Sequence, residues 1–89
     1  MRDSYLEITF RHGKALAAYY YLPRSAGDVS VRTEPGEAGM LVDFARDGRP
    51  IGIEITTPSR ASLAALNRVL RSLGQDPARR EDFAPLRAA

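Results

Sequence analysis

The clearest pattern of apolar and polar positions lies between residues 40 and 55, where two alternating runs flank Asp47-Gly48. Asp-Gly in this setting predicts a β-hairpin with a two-residue turn, which needs a positive φ at both central residues. Successive side chains then fall on opposite faces of the hairpin. The inner face pairs Met40 with Ile55, Val42 with Ile53 and Phe44 with Ile51. The outer face carries Leu41, Asp43, Gly52, Glu54 and Thr56.

Three shorter runs before residue 36 also alternate and predict strands at Tyr5 to Phe10, Ala15 to Leu22 and Val29 to Thr33. A three-residue loop, His12-Gly13-Lys14, aligns the apolar faces of the first two strands. That loop pairs Phe10 with Leu16, Ile8 with Ala18 and Leu6 with Tyr20. Glu34-Pro35-Gly36 ends the third strand.

After Thr57 the apolar period becomes helical. Leucines 63, 66, 70 and 73 recur at helical spacing beside Val69, which predicts a helix over Ser59 to Leu73 with Gly74 just past its end. This leucine stripe is expected to cover the inner face of the hairpin. In the segment that follows, Phe83 and Leu86 are the only large apolar residues. Two outcomes are open: these residues dock on the domain or on a partner, or the segment is loose.

Together these elements predict an α+β fold, an antiparallel β-meander of four to five strands with one C-terminal helix packed on one face. A chain of 89 residues suits a single domain, expected over residues 1–74 with a C-terminal tail over 75–89. The absence of cysteine excludes disulfides and cysteine-based metal sites, and it fits a reducing, cytoplasmic setting. No apolar run approaches the length of a membrane helix, and residues 1–6 lack the apolar core of a signal peptide.

The hairpin contains the segments LVDF, DGR and IGIEI in that order. It resembles the hairpin of the bacterial domain of unknown function 2283 family, whose members carry a similar VDYDEDGRLVGIEIL sequence. An earlier strand similar to Ala15–Leu22 extends the resemblance over roughly residues 5–56. The first turn departs from the family, because Arg11-His12-Gly13-Lys14 stands where several acidic residues are usual. The resemblance implies a small β-rich domain without an established activity. The gene arrangement of some members implies an interaction role beside toxin-type proteins.

Asp43 and Glu54 are the candidates for chemistry, because the register places them diagonally on the outer face. Gly52, opposite Asp43, leaves a gap beside the two carboxylates. This arrangement suits a cation site or an acid–base pair. The structural alternative is a solvated sheet face, with both carboxylates paired to Arg32 or Arg49.

Tyr19, Tyr21 and Leu41 share the outer face with those carboxylates and predict an apolar patch. Such a patch marks a protein interface more often than a base-stacking platform. His12 is the single histidine and is expected in an exposed turn. Arginines 60, 68 and 71 cluster on the helix surface, where they suit either phosphate contacts or a solvated face.

Thirteen basic residues against eleven acidic ones are not the balance of a polyanion binder. We therefore expect a non-enzymatic protein-interaction module that self-associates, with a homodimer as the first expectation and a protein partner as a further possibility. We expect no catalytic residue, no cofactor, no metal and no membrane partner. The alternatives are a small-ligand, metal-binding or enzymatic domain using Asp43 and Glu54, and weak nucleic-acid binding through the helix arginines.

Overall fold

The computed structural model describes residues 4–87, and within them the chain is an α+β structure with one five-stranded antiparallel sheet and two helices. The predicted domain over 1–74 and tail over 75–89 include residues 1–3 and 88–89, which lie outside this range. No helix in the described part is long and apolar enough to cross a membrane. The strands are β1 (Tyr5–Arg11), β2 (Lys14–Tyr21), β3 (Arg32–Pro35), β4 (Met40–Phe44) and β5 (Pro50–Ile55), and the helices are α1 (Leu63–Ser72) and α2 (Arg80–Arg87).

The strand order is β1-β2-β5-β4-β3, so the sheet is meander-like without being the simple meander that follows chain order. The hairpin β1–β2 joins the meander β3–β4–β5 through the β2–β5 pair. A central strand must be apolar on the face that the helices cover. β5 meets this requirement, whereas all four residues of β3 are exposed. β3 therefore lies at the edge of the sheet.

The predicted register of the β4–β5 hairpin is confirmed where it is farthest from the turn, with Met40 opposite Ile55 and Val42 opposite Ile53. The predicted pair Phe44–Ile51 is wrong. Phe44 lies opposite Pro50, because β5 carries one extra residue between the partners of Asp43 and Phe44. Such a bulge keeps the inner face apolar on both sides of the irregularity.

The predicted turn of this hairpin is also wrong, because Gly48 has a positive φ of 91° and Asp47 does not. The N–H of Ala45 donates to the carbonyl of Arg49, which leaves a three-residue loop. The carboxylate of Asp47 accepts hydrogen bonds from Arg49 N at 3.0 Å and from Arg49 Nε at 2.7 Å. A type I turn followed by a left-handed glycine satisfies these bonds, and it is the usual form of a three-residue hairpin.

The first hairpin shows the opposite deviation, since its loop has two residues instead of three. His12 and Gly13 both have positive φ, 53° and 78°. The pairs Leu6–Tyr20 and Ile8–Ala18 are confirmed, whereas Phe10 lies opposite Ala15 instead of Leu16. The register shifts between Thr9 and Phe10, so a bulge restores the alignment that the longer loop was expected to supply.

The third strand begins at Arg32 instead of Val29 and continues through Pro35, where it was predicted to have ended. Gly36 N donates to Met40 O at 2.7 Å, so the hydrogen bonds between β3 and β4 continue past the proline. By the alternation of an antiparallel ladder, the missing N–H of Pro35 then points away from β4 and costs no sheet hydrogen bond. An edge strand tolerates proline for this reason.

Helix α1 begins at Leu63 instead of Ser59, because Pro58–Arg60 form a separate 3-10 turn. The hydroxyl of Ser62 caps α1 by accepting the N–H of Ala65 at 3.0 Å. At the other end Gly74 has a positive φ of 71°, and Gln75 N donates to Leu70 O at 2.9 Å. These features confirm Gly74 as the residue just past the helix.

The expectation of a single C-terminal helix is wrong, since residues 80–87 form α2 with Phe83 and Leu86 buried. Asn67 of α1 holds the connecting segment by accepting Ala78 N at 2.7 Å and donating to Ala78 O at 3.3 Å. Both helices share one core with the inner face of the sheet. That core contains Ala18, Tyr20, Leu22, Met40, Val42, Phe44, Ile53, Ile55, Ala65, Leu66, Val69, Leu70, Ala78, Phe83 and Leu86.

Candidate functional site

The outer face of the sheet brings together all five residues that the sequence marks as a candidate surface. Tyr19 and Leu41 both lie opposite Glu54, on the two sides of β5. Tyr21 lies opposite Gly52 across β2–β5, and Asp43 lies opposite the same glycine across β4–β5. The period-two pattern was therefore sufficient to place Leu41, Asp43 and Glu54 side by side. The position of the two tyrosines follows from the strand order.

Asp43 is buried, which corrects the expectation of a solvated carboxylate. Its exposed fraction is 6%, and it is the one buried charged residue found among residues 4–87. The hydroxyl of Tyr19 donates to Asp43 Oδ2 at 2.8 Å, and the hydroxyl of Thr33 donates to Oδ1 at 2.6 Å. Both oxygens thus accept a hydrogen bond within the fold, as a buried carboxylate requires.

The expected pairing of the two carboxylates with Arg32 or Arg49 does not form. Arg32 Nε lies 2.9 Å from Glu34, and its guanidinium stands 4.3 Å from the ring centroid of Phe44. Arg49 bridges Asp47 and Asp28 instead. Neutral hydroxyl donors consequently hold Asp43, and no arginine neutralises it in the described structure.

Tyr19 fills the gap that Gly52 leaves on the outer face. A Cβ atom built at Gly52 would overlap the ring and hydroxyl of Tyr19. The absence of a side chain at position 52 therefore lets the Tyr19 ring lie across β5 and reach Asp43 on the far strand. Burial, the hydrogen bond to Asp43 and the charge of Asp43 all raise the pKa of Tyr19, so its hydroxyl stays protonated and donates.

Glu54 is half-buried beside Asp43. Burial raises the pKa of Glu54, and the charge of Asp43 and a hydrogen bond between the two carboxyl groups raise it further. A shallow depression of about 180 Å³ opens beside Glu54 and Tyr19, with Glu7, Thr9 and Thr56 around it. Asp43 does not line this depression, so the two carboxylates do not face a common ligand.

An aromatic cluster extends the outer face to β1. The ring of Tyr5 stacks on that of Tyr21 at a centroid distance of 4.5 Å, and Tyr19 meets Tyr21 edge-on at 4.6 Å. The hydroxyl of Tyr21 donates to Glu7 Oε1 at 3.0 Å, which is the main reason that the pKa of Tyr21 is raised. The guanidinium of Arg24 stands 5.6 Å from the Tyr21 centroid. The rings are thus held in place by one another and by Glu7.

Sequence reasoning missed Tyr5, Glu7 and Thr33 as members of this surface. Tyr5 and Glu7 were within reach, because the predicted pair Leu6–Tyr20 sets Tyr5 opposite Tyr21 and Glu7 opposite Tyr19. No signal placed Thr33 next to Asp43, since the third strand was predicted at the wrong position. Its register against β4 sets Thr33 directly opposite Asp43.

The remaining candidates lie apart from the outer face. His12 is exposed in the β1–β2 turn. Arg68 Nε lies 2.9 Å from Glu37 Oε2 in an exposed ion pair, and Arg60 belongs to the 3-10 turn before α1. Within residues 4–87, no group of three or more histidine, aspartate or glutamate side chains could hold a metal ion.

No family model matches this chain, and neither a curated protein nor a solved structure matches it. The resemblance to the domain of unknown function 2283 family therefore stays a prediction. The geometry of the outer face is the basis on which function can be argued.

Proposed function

We propose that this protein is a non-enzymatic interaction module that self-associates as a homodimer and offers its uncovered sheet surface to protein contacts. One observation carries the proposal. Both helices contribute their buried residues to the core on the inner face, while the outer face carries the three ordered tyrosines 5, 19 and 21. A cytoplasmic location belongs to the same proposal.

The tyrosine cluster has the properties of a contact surface. Tyr5 is 45% exposed, and its ring is already fixed against Tyr21. Aromatic residues are enriched at protein interfaces, where the ring packs and the hydroxyl finds a polar partner. A side chain that is ordered before binding also loses less conformational entropy on association.

Catalysis or metal binding at Asp43 and Glu54 has less support. Both oxygens of Asp43 accept internal hydrogen bonds, and Tyr19 occupies the space above Gly52. A ligand would have to displace Tyr19 before it reached Asp43. A cation-induced rise in melting temperature that Glu54→Gln abolishes would favour this alternative.

Nucleic-acid binding through the helix arginines also has less support. Arg68 is paired with Glu37, and its ion pair would have to break for it to bind phosphate. The formal net charge of the chain is only +2. Salt-sensitive retardation of short DNA or RNA, lost in Arg68→Ala, would be the sign of such binding.

Sedimentation velocity tests the proposal directly. We expect the weight-average sedimentation coefficient to rise with protein concentration toward that of a dimer. A purely monomeric boundary from low micromolar to several hundred micromolar would overturn self-association.

A further inference from the structure

The two edges of the sheet differ in how well they are protected against pairing with another chain. β3 has four residues, ends in Pro35 and carries an ion pair between Arg32 and Glu34. Short edge strands with proline and charges are a known way of preventing edge-to-edge association. β1 has seven residues, contains neither proline nor lysine, and exposes five of its residues. No strand of the described residues pairs with its outward side, so it is the open edge of the sheet, although α2 also contacts this strand.

The outward-pointing backbone groups of β1 can be assigned from the alternation of the ladders. Leu22 N donates to Ile51 O at 3.2 Å, so even-numbered residues of β2 bond to β5 and odd-numbered ones to β1. Tyr5, Glu7 and Thr9 lie opposite odd-numbered residues of β2. The even-numbered residues of β1 (Leu6, Ile8 and Phe10) therefore direct their N–H and C=O groups away from the sheet.

We propose that β1 pairs antiparallel with β1 of a second copy, about a twofold axis at Ile8, so that two sheets become one continuous sheet. This inference rests on the proposed self-association and specifies its surface. Ile8 is the central residue of Tyr5–Arg11, so this register overlaps the whole strand. The same surface patch is used by both copies, as in most homodimers.

In this register the side chains are complementary on both faces. Leu6 lies opposite Phe10 of the second copy on the inner face, which covers a phenylalanine that is 51% exposed in the single chain. On the outer face Tyr5 lies opposite Arg11 of the second copy, a ring beside a guanidinium. Glu7 lies opposite Thr9, and no like charges stand directly opposite each other.

Neighbouring registers are less complementary. An axis at Glu7 would place two carboxylates directly opposite each other, which is destabilising. An axis at Thr9 would set Glu7 opposite Arg11, but it would carry Tyr5 and Leu6 past the end of the partner strand into the turn at His12 and Gly13. The axis at Ile8 is therefore the one that uses the full edge.

A matched pair of lysine variants tests the edge. Phe10→Lys places a charge on β1, and Leu16→Lys places the same charge on β2, where Leu16 is 54% exposed. We expect Phe10→Lys to weaken dimerisation by about tenfold or more, and Leu16→Lys to leave it unchanged. Circular dichroism melts check that both variants stay folded. Equal dimerisation of both variants would overturn the assignment to β1.

Single cysteines test the register, because the chain contains none of its own. A residue pair opposite each other on the outer face lies close enough for a disulfide. We expect Tyr5→Cys and Arg11→Cys proteins to cross-link when they are mixed and oxidised, and neither to cross-link alone. Cross-linking of Glu7→Cys with Arg11→Cys instead would move the axis to Thr9 and overturn this register.

The outcomes separate the two proposals. A monomeric wild-type protein overturns both the proposed function and this inference. A wild-type dimer that keeps its affinity in Phe10→Lys and forms neither mixed disulfide overturns the β1 assignment alone, and self-association then stands on another surface.

Discussion

The outer face depends on Gly52, a residue without a side chain. Tyr19 crosses β5 over this glycine and donates to a carboxylate on the next strand. Asp43 receives hydrogen bonds at both carboxylate oxygens only because the space above Gly52 is free. Position 52 thus links the packing of an aromatic ring to the hydrogen bonds of a buried charge.

We predict that Gly52→Ala destabilises the fold by about 2–4 kcal/mol, through overpacking against Tyr19 and the loss of its bond to Asp43. Urea unfolding measures the change. Gly36→Ala is the matched control, because its φ is −117° and a Cβ there meets Val69 Cγ2 at an ordinary 3.5 Å. Equal effects in the two variants would contradict the role of Tyr19.

Glu54 gives the face a pH dependence with a definite sign. Its folded pKa is raised, so the folded state holds the proton more tightly than the unfolded chain. This contribution to stability is fully present below the unfolded pKa of about 4.3 and is lost as pH rises through the folded pKa. Above that range Glu54 is ionised beside Asp43 and opposes folding.

We predict that Glu54→Gln is more stable than wild type at pH 7, since a glutamine amide donates to Asp43 without adding a charge. The difference should shrink as pH falls through the raised folded pKa, and it should level off below the unfolded pKa of about 4.3, where Glu54 is protonated in both states. Melting temperatures of both proteins across this range provide the measurement. A difference in melting temperature that grows toward acid pH would contradict the raised pKa of Glu54.

At the scale of elements, the two hairpins show which features an apolar pattern predicts and which it does not. Alternation fixed the pairs Met40–Ile55 and Leu6–Tyr20, because a one-residue slip would expose the whole apolar face. It did not fix the loops. A bulge changes the register near a turn without changing the face, so two loop lengths are compatible with one apolar pattern.

The burial of Asp43 was beyond sequence reasoning for a related reason. It depends on Tyr19 of β2 and Thr33 of β3 reaching the same carboxylate. Those contacts depend on the strand order and on the position of the edge strand β3. The sequence predicted that β3 starts at Val29, whereas it starts at Arg32. Period-two patterns say which face a residue occupies, but not which strand stands next to it.

Helix α2 supplies the prediction at this scale. We expect Phe83→Ala to lower stability by about 3–5 kcal/mol, because Phe83 is buried in the shared core. Ala84→Ser, on the exposed side of the same helix, should change it by about 0.5 kcal/mol. An unchanged melting temperature for Phe83→Ala would show that α2 does not contribute to the core.

At the scale of the whole molecule, the sheet has one covered face, one open face, one protected edge and one open edge. Pairing through β1 would join the apolar inner faces of the two copies. It would also place the two tyrosine clusters on the same open face of one continuous sheet. It would also satisfy the outward backbone groups of β1, which are the polar groups that invite strand addition. The proposed self-association would thus use the edge of the sheet that lacks these protecting features.

Residue-resolved amide hydrogen exchange of β1, measured at low and high protein concentration, tests this pairing most directly. The amide of Glu7 points toward β2 and should be protected at both concentrations. We predict that the amides of Leu6, Ile8 and Phe10 exchange rapidly in dilute protein and become protected in concentrated protein, as β1 pairs with a second copy. Rapid exchange of these three amides at every concentration would contradict it.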